Sequence, residues 1–212
     1  VKQILLVDDH HIVREGVIRL LEELLVIPVR FDEAAGGQEA LDKVSAERYD
    51  LVLLDISLPG RNGLDVLKQL RQLRPEVPVL MLSMYSDEQY AVRALRAGAA
   101  GYLTKASGSA EFKLAIETVL GGAKYVSPVQ GSLLAEAICE EQNPASLHTL
   151  LSDREYQFAC MLTEGQTMTE IAQALSLSVK TVSTYRSRVL EKLKLRTNAD
   201  IINYCLTHGI TL

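Results

Sequence analysis

Four positions in the first half of the chain carry polar groups of complementary chemistry, each directly after an apolar run. Ile4-Leu5-Leu6-Val7 ends on Asp8-Asp9, and Leu51-Val52-Leu53-Leu54 ends on Asp55. Val77-Pro78-Val79-Leu80-Met81-Leu82 ends on Ser83, and Ala100-Gly101-Tyr102-Leu103-Thr104 ends on Lys105. Apolar runs without alternation suit strands buried on both faces of a parallel sheet. Ligands of such sheets sit beyond the carboxyl ends of the strands. Right-handed crossovers bring all these ends to one edge. Three carboxylates meeting there repel one another unless a cation joins them, and an oxygen-rich site of this kind suits Mg²⁺. Lys105 adds a point charge and Ser83 a hydroxyl, which a transferred phosphoryl group needs. The set describes phosphoryl transfer onto a carboxylate oxygen. Asp55 alone, before Leu58-Pro59-Gly60 and Asn62-Gly63, would read as a helix cap or loop residue. The recurrence of the pattern gives it chemistry.

The elements that must position these groups alternate strand and helix. Ile12, Val13, Val17, Leu20, Leu21 and Leu24 recur at helical spacing after the first acidic pair. A strand near Val29–Phe31 precedes Gly36-Gly37 and a helix carrying Leu41 and Val44. Leu64, Leu67, Leu70 and Leu73 mark the helix after Asp55, which stops before Pro75. Ser86 and Gln89 have capping-box spacing and open a helix toward Gly98. Phe112, Leu114, Ile116 and Val119 carry a last helix to Gly121-Gly122. About five strands alternating with five helices predict an α/β, doubly wound parallel sheet. His10-His11 read as exposed residues opening the first helix rather than as a transition-metal site. Tyr85 could tune the access of hydrolytic water or be a rim aromatic without that role. Arg93 and Arg96 read as a solvated face.

Asp8-Asp9, Asp55 with Pro59 and Gly63, Ser83, and Gly101-Tyr102-Leu103-Thr104-Lys105 together resemble the flavodoxin-like receiver domain of bacterial two-component response regulators, over roughly residues 2 to 122. The resemblance implies that Asp55 is the phosphoacceptor, and that Asp8, Asp9, Asp55 and the Ser57 backbone carbonyl surround Mg²⁺. It implies that Ser83 and Lys105 contact the phosphoryl group, and that Tyr102 changes rotamer on activation. Many receivers have Pro after the lysine, where this chain has Ala106. A cis bond there, as in relatives, would cost about 3–4 kcal/mol.

Periodicity weakens between Ala123 and Leu147, although Leu133, Leu134, Ala137 and Ile138 could form one short helix. We read residues 1–122 as the receiver, 123–147 as a linker, and 148–212 as an all-α, four-helix second domain. Ser152 with Glu155 and Thr167 with Glu170 have capping-box spacing, and Thr197 with Asp200 is an analogue. The helices are expected at about 153–164, 168–175, 179–194 and 198–208. Only Ser176-Leu177-Ser178 joins the second to the third, a connection of the helix-turn-helix type.

On the third helix Val182, Val189 and Leu193 share one face and pack inward. Lys180, Thr184, Ser187 and Arg188 fall on the far side, flanked by Thr181 and Ser183. Short hydroxyls interleaved with cations fit the major groove of double-stranded DNA. Lys192, toward the end of the helix, is expected on a phosphate, while Arg186 lies nearer the packed face and reaches backbone phosphate at most. Six basic residues against one acid between Lys180 and Arg196, in a chain of net charge −5, place nucleic acid at one end only. The stretch from Leu151-Ser152-Asp153-Arg154-Glu155 through Lys180-Thr181-Val182-Ser183-Thr184-Tyr185-Arg186 to Lys192-Leu193 is similar to the LuxR-type helix-turn-helix, with Ser152 at a position usually Thr.

The whole chain therefore resembles the NarL/FixJ class of response regulators. That implies a sensor histidine kinase, promoter DNA, a homodimer when phosphorylated and, further on, RNA polymerase as partners. The receiver's own phosphorylation chemistry makes it a switch and not a typical enzyme. The rival is a receiver-controlled signalling protein whose C-terminal bundle binds a protein and not DNA. A hydrophobic content of 48% and a charged content of 23% are those of a globular chain. No apolar run approaches the roughly 20 residues of a membrane span. Cys139, Cys160 and Cys205 have neither metal nor disulfide-framework spacing, so a reducing, cytoplasmic setting is expected.

Overall fold

Five parallel strands, β1 (Lys2–Val7), β2 (Val29–Ala34), β3 (Leu51–Asp55), β4 (Val79–Ser83) and β5 (Gly101–Thr104), lie in the order β2-β1-β3-β4-β5. The computed structural model describes residues 1–84, 88–140 and 147–210, leaving aside the side chains of 88–89 and 136–140. Tyr85 and the Ser86–Gln89 capping box lie outside the described residues. β3 and β4 have a neighbour on each side and are buried throughout, so their sequences do not alternate. β2, at one edge, has only Ala34 fully buried and mixes Val29 and Phe31 with Arg30, Asp32 and Glu33.

Ile4, Leu6, Leu51, Leu53, Leu80, Leu82 and Leu103 pack in one cluster with residues of α1 (His11–Leu24) and α5 (Ser109–Leu120). The intervening Leu5, Val7, Val52 and Leu54 are equally buried. They point to the other face, where α2 (Gly37–Ala46) and α3 (Gly63–Leu73) pack together. α4 (Glu88–Arg96) joins β4 to β5. Each large aliphatic side chain in these layers contributes about 1.5–3 kcal/mol by leaving water.

Two apolar positions expected inside are outside. Ile12 is 84% exposed, because it opens α1 beyond the end of β1, where no sheet lies beneath it. Leu114 is 57% exposed, because Phe112, Ala115, Ile116 and Val119 form the inward stripe and Leu114 lies off it. The Lys105–Ala106 bond does not incur the cost of a cis geometry. It is trans, like every peptide bond of the described residues, which is the default where no proline follows.

After α5 the chain returns to the sheet. The Tyr125 N–H donates to the Ala100 carbonyl (2.8 Å), and its hydroxyl donates to Glu111 Oε1 (3.0 Å). Then α6 (Pro128–Glu140) begins with a reciprocal cap between Ser127 and Gln130, with Pro128 in the first turn. The first compact unit reaches Gly131 and the second begins at Ser132. The second unit contains a 3-10 turn (Leu147–Leu150), α7 (Asp153–Thr163), α8 (Met168–Ala174), α9 (Val179–Leu193) and α10 (Asn198–Thr207). Capping boxes open α7, α8 and α10 at Ser152, Thr167 and Thr197. Between α8 and α9, Ser176 takes a left-handed conformation (φ 53°) that turns the chain, and Ser178 caps α9 at the Thr181 N–H.

Candidate functional site

The carboxyl ends of β1, β3, β4 and β5 converge, and Asp8, Asp55 and Ser83 are all buried there. The site sits where strand order reverses, between β1 and β3. Its floor depends on a close approach: Gly63 donates its N–H to the Ile56 carbonyl at 2.8 Å. A Cβ on Gly63 would overlap the Asp55 carbonyl oxygen and come within 2.7 Å of Ile56 Cα. Asn62 accepts from the Leu64 N–H (2.9 Å) and starts α3, so the loop between Ile56 and Asn62 is held at both ends.

Lys105 reaches in from the end of β5 with its side chain 8% exposed. Its Nζ donates to Asp8 Oδ2 (2.5 Å) and stands 3.0 Å from Asp55 Oδ2. The Lys105 N–H donates to the Ser83 carbonyl (2.6 Å), which ties the lysine to β4. Burial pushes the Asp55 carboxyl above its ordinary value, and Asp8 adds to this, while Lys105 only partly opposes it. Burial acts to lower Lys105, but the Asp55 and Asp8 carboxylates outweigh it and the ammonium is held above its usual range.

Two oxygens at this site, Asp55 Oδ1 and Ser57 Oγ, are buried without a hydrogen-bond partner among the described residues. A buried carboxylate oxygen left bare is costly, and such an atom points to a ligand. Asp9 is partly exposed beside Asp8, and His10 Nδ1 lies 2.9 Å from Asp9 Oδ1 and 3.4 Å from Asp8 Oδ1. Among the described residues, Asp8, Asp9 and His10 are the group whose ligating atoms come within 4.8 Å of one another. His10 is exposed, as expected, but it does meet the acidic pair. Tyr102 is buried, and its backbone carbonyl accepts from Gln130 Nε2 (3.2 Å). The Ser127-Pro128-Val129-Gln130 spacing is a capping signal for α6 that the weak periodicity of the segment obscures.

In the second unit Val182, Val189 and Leu193 are buried, as the helical spacing requires. Lys180, Ser183, Thr184, Ser187 and Arg188 are exposed on α9, and Thr181 is half-buried. Thr184 Oγ1 donates to the Lys180 carbonyl and Ser187 Oγ to the Ser183 carbonyl, both at 3.1 Å. Each hydroxyl proton is thereby spent inside the helix, and the oxygen's lone pairs face outward. Thr181 Oγ1 instead pairs with Ser178 Oγ (2.8 Å).

Lys192 does not share this exposed face. It falls about 80° from Val182 around the helix, on the flank of the packed side. Its Nζ donates to Glu155 Oε2 (2.6 Å) and to the Leu150 carbonyl (3.0 Å). Where a phosphate contact is expected, the structure shows Lys192 in an internal ion pair. Arg186 lies near the packed side, and its Nε donates to Asn198 Oδ1 (2.5 Å) at the start of α10.

Comparison with known proteins matches residues 4–117 to the response regulator receiver domain family. Residues 149–205 match the bacterial regulatory proteins of the luxR family. Response regulator GacA of Pseudomonas viridiflava is 36% identical over 208 residues, covering 98% of this chain and 97% of that protein. Response regulator UvrY of Escherichia coli K12 is 34% identical over 207 residues, covering 98% and 94%. RcsB of Salmonella enterica serovar Typhimurium, solved bound to promoter rprA with the phosphomimetic BeF3-, has a similar fold. It has a TM-score of 0.63 at 22% identity, over 96% of this chain and 97% of that one.

Proposed function

The chain belongs to the two-component response regulators of the NarL/FixJ class, with a receiver domain and a LuxR-family DNA-binding domain, and we propose that Asp55 is the residue through which it is switched. The observation that carries this is the bare, buried Asp55 Oδ1 beside the Lys105–Asp8–Asp55 cluster. The donor is the phosphohistidine of a sensor histidine kinase. The Asp55 carboxylate forms a bond to phosphorus, the N–P bond breaks, and the imidazole leaves with its electron pair. Lys105 meets the growing negative charge on the phosphoryl oxygens, and Ser83 offers a hydroxyl from the neighbouring strand.

The oxygen-rich donor set fits a hard divalent cation. Asp8, Asp9, Asp55 and the Ser57 backbone carbonyl would hold Mg²⁺, which supplies positive charge that offsets carboxylate–phosphate repulsion. No helix of the described residues is long and apolar enough to cross a membrane, and we place the protein in the cytoplasm with its kinase and promoters.

On the output side, α9 enters the major groove of double-stranded DNA. Lys180 and Arg188 reach phosphate or guanine, and Thr181, Ser183, Thr184 and Ser187 approach base edges. Phosphorylation favours a homodimer on paired half-sites, from which contact with RNA polymerase follows. The match of residues 149–205 to the luxR-family regulatory proteins, in a chain that also carries a receiver, supports this coupling of receiver to DNA over a protein-binding bundle.

Incubation with a small phosphodonor and Mg²⁺, followed by peptide mapping, should place one phosphoryl group on Asp55. Labelling that persists undiminished in Asp55→Asn, or without Mg²⁺, would overturn the assignment.

A further inference from the structure

We propose that Glu155 and Lys192 act as a positioning pair that sets the rotation of α9, and so controls which DNA sequence the helix can read without touching DNA. This rests on the reading of α9 as the groove-binding helix. The Glu155 side chain is 3% exposed, at the first turn of α7. One of its oxygens, Oε2, accepts from the Ser152 N–H (2.8 Å) and from Lys192 Nζ (2.6 Å). The same ammonium holds the Leu150 carbonyl (3.0 Å) at the end of the 3-10 turn. Three elements therefore meet at a single nitrogen near the C-terminal end of α9. The carboxylate sits at a helix N-terminus and the ammonium at a helix C-terminus, the favourable ends for each charge.

The apolar contacts of Val182, Val189 and Leu193 fix how close α9 lies to its neighbours, but they are non-directional. Directed bonds restrict rotation, and α9 has them at Lys192 and again at Arg186, which donates to Asn198. Rotating the helix by about 10° moves a side-chain tip about 6 Å from its axis by about 1 Å. A shift of that size is enough to spoil a base-edge hydrogen bond at Thr184 or Ser187. Lys192 itself is spoken for, since its charge is matched by a buried acid.

The test turns on Glu155→Gln. Glutamine also serves at the third position of a capping box, so α7 keeps its start while the charge on Lys192 loses its partner. Removing an acid from a DNA-binding domain should, on charge alone, tighten binding to any duplex. The positioning role requires the opposite on the preferred site. Affinities would be measured by fluorescence anisotropy for a duplex selected from a random library and for its scrambled version, at several salt concentrations. We expect Glu155→Gln to lower the selected-to-scrambled affinity ratio on the order of tenfold, the loss of about one base contact, with no weakening on the scrambled duplex. Lys192→Gln should lower the ratio likewise without changing the salt slope, and Lys192→Arg should restore it. If Glu155→Gln does not fold, as judged by its thermal transition, the two Lys192 variants decide the matter. An unchanged ratio, or a salt slope lowered by about one in Lys192→Gln alone, would overturn the proposal and return Lys192 to the phosphate backbone. A parent protein with no preference between the duplexes would overturn the DNA reading, and the positioning role with it.

Discussion

Lys105 reaches Asp55 with its ammonium 3.0 Å from Oδ2, while Asp55 Oδ1 stays buried and bare. The pair is half made: one oxygen meets the ammonium and the other has no hydrogen-bond partner among the described residues. A site built this way stores instability in the resting protein, because burial and Asp8 both disfavour the Asp55 charge.

Asp55→Asn is therefore expected to raise the thermal midpoint of the first unit while abolishing phosphorylation. Lys105→Met should lower it, at a cost in stability of at most roughly 3–5 kcal/mol, since it strips the cation from two buried acids. The double variant should be less destabilised than the sum of the single changes predicts. Calorimetry at neutral pH checks all three; strict additivity would mean that the two residues do not share one electrostatic site.

Ser83 is buried next to this pair and its carbonyl already holds the Lys105 N–H. Its hydroxyl is the group expected to distinguish the phosphorylated state. Ser83→Ala should accept phosphate at Asp55 yet show little phosphate-dependent gain in dimerisation, because a ligand shifts an equilibrium only by its differential contacts. Sedimentation with and without phosphodonor measures that gain, and a full gain in the variant would route the signal elsewhere.

At the other end of the chain, Thr184 and Ser187 present hydroxyl oxygens whose protons are held by their own helix. They should act as acceptors toward the amino groups of adenine or cytosine. Replacing either by Ala is expected to cost roughly 1–3 kcal/mol on the preferred site and little on a scrambled one. A uniform loss on both duplexes would show that these positions grip the backbone instead.

Glu155 gives the second unit an acid-sensitive joint. Burial would raise its pKa, but hydrogen bonds from Lys192 and Ser152 outweigh this and hold it below the ordinary 4.5. A depressed carboxyl binds fewer protons folded than unfolded, so its contribution is full above the unfolded value and fades as pH falls through the folded one. Unfolding of this unit, followed between neutral pH and about pH 3, should show a loss of stability at the acid end that is flatter in Glu155→Gln. Parallel pH curves would mean that Glu155 is not held this way.

The acidic cluster was legible because each member ends an unbroken apolar run, and parallel topology turns run ends into neighbours. The helix starts at Ser152, Thr167 and Thr197 were legible because a capping box is local. Lys192 was not. Its partner Glu155 lies 37 residues earlier, and it already had a role as the box acid; nothing in the spacing says that one oxygen serves both. Ile12 misled for a different reason, since helical periodicity gives a direction but not whether a sheet lies beneath it.

The return of the chain at Tyr125 bears on where the protein can be divided. β5 is the last strand of the sheet, and an open strand edge invites another chain to add itself. Here the Tyr125 N–H takes the Ala100 carbonyl, Gln130 takes the Tyr102 carbonyl, and the Tyr125 carbonyl oxygen would lie 2.8 Å from any Cβ placed on Gly101. A fragment ending at Gly122 loses this cover and should associate edge to edge. One that keeps Tyr125 through Gln130 carries its own seal.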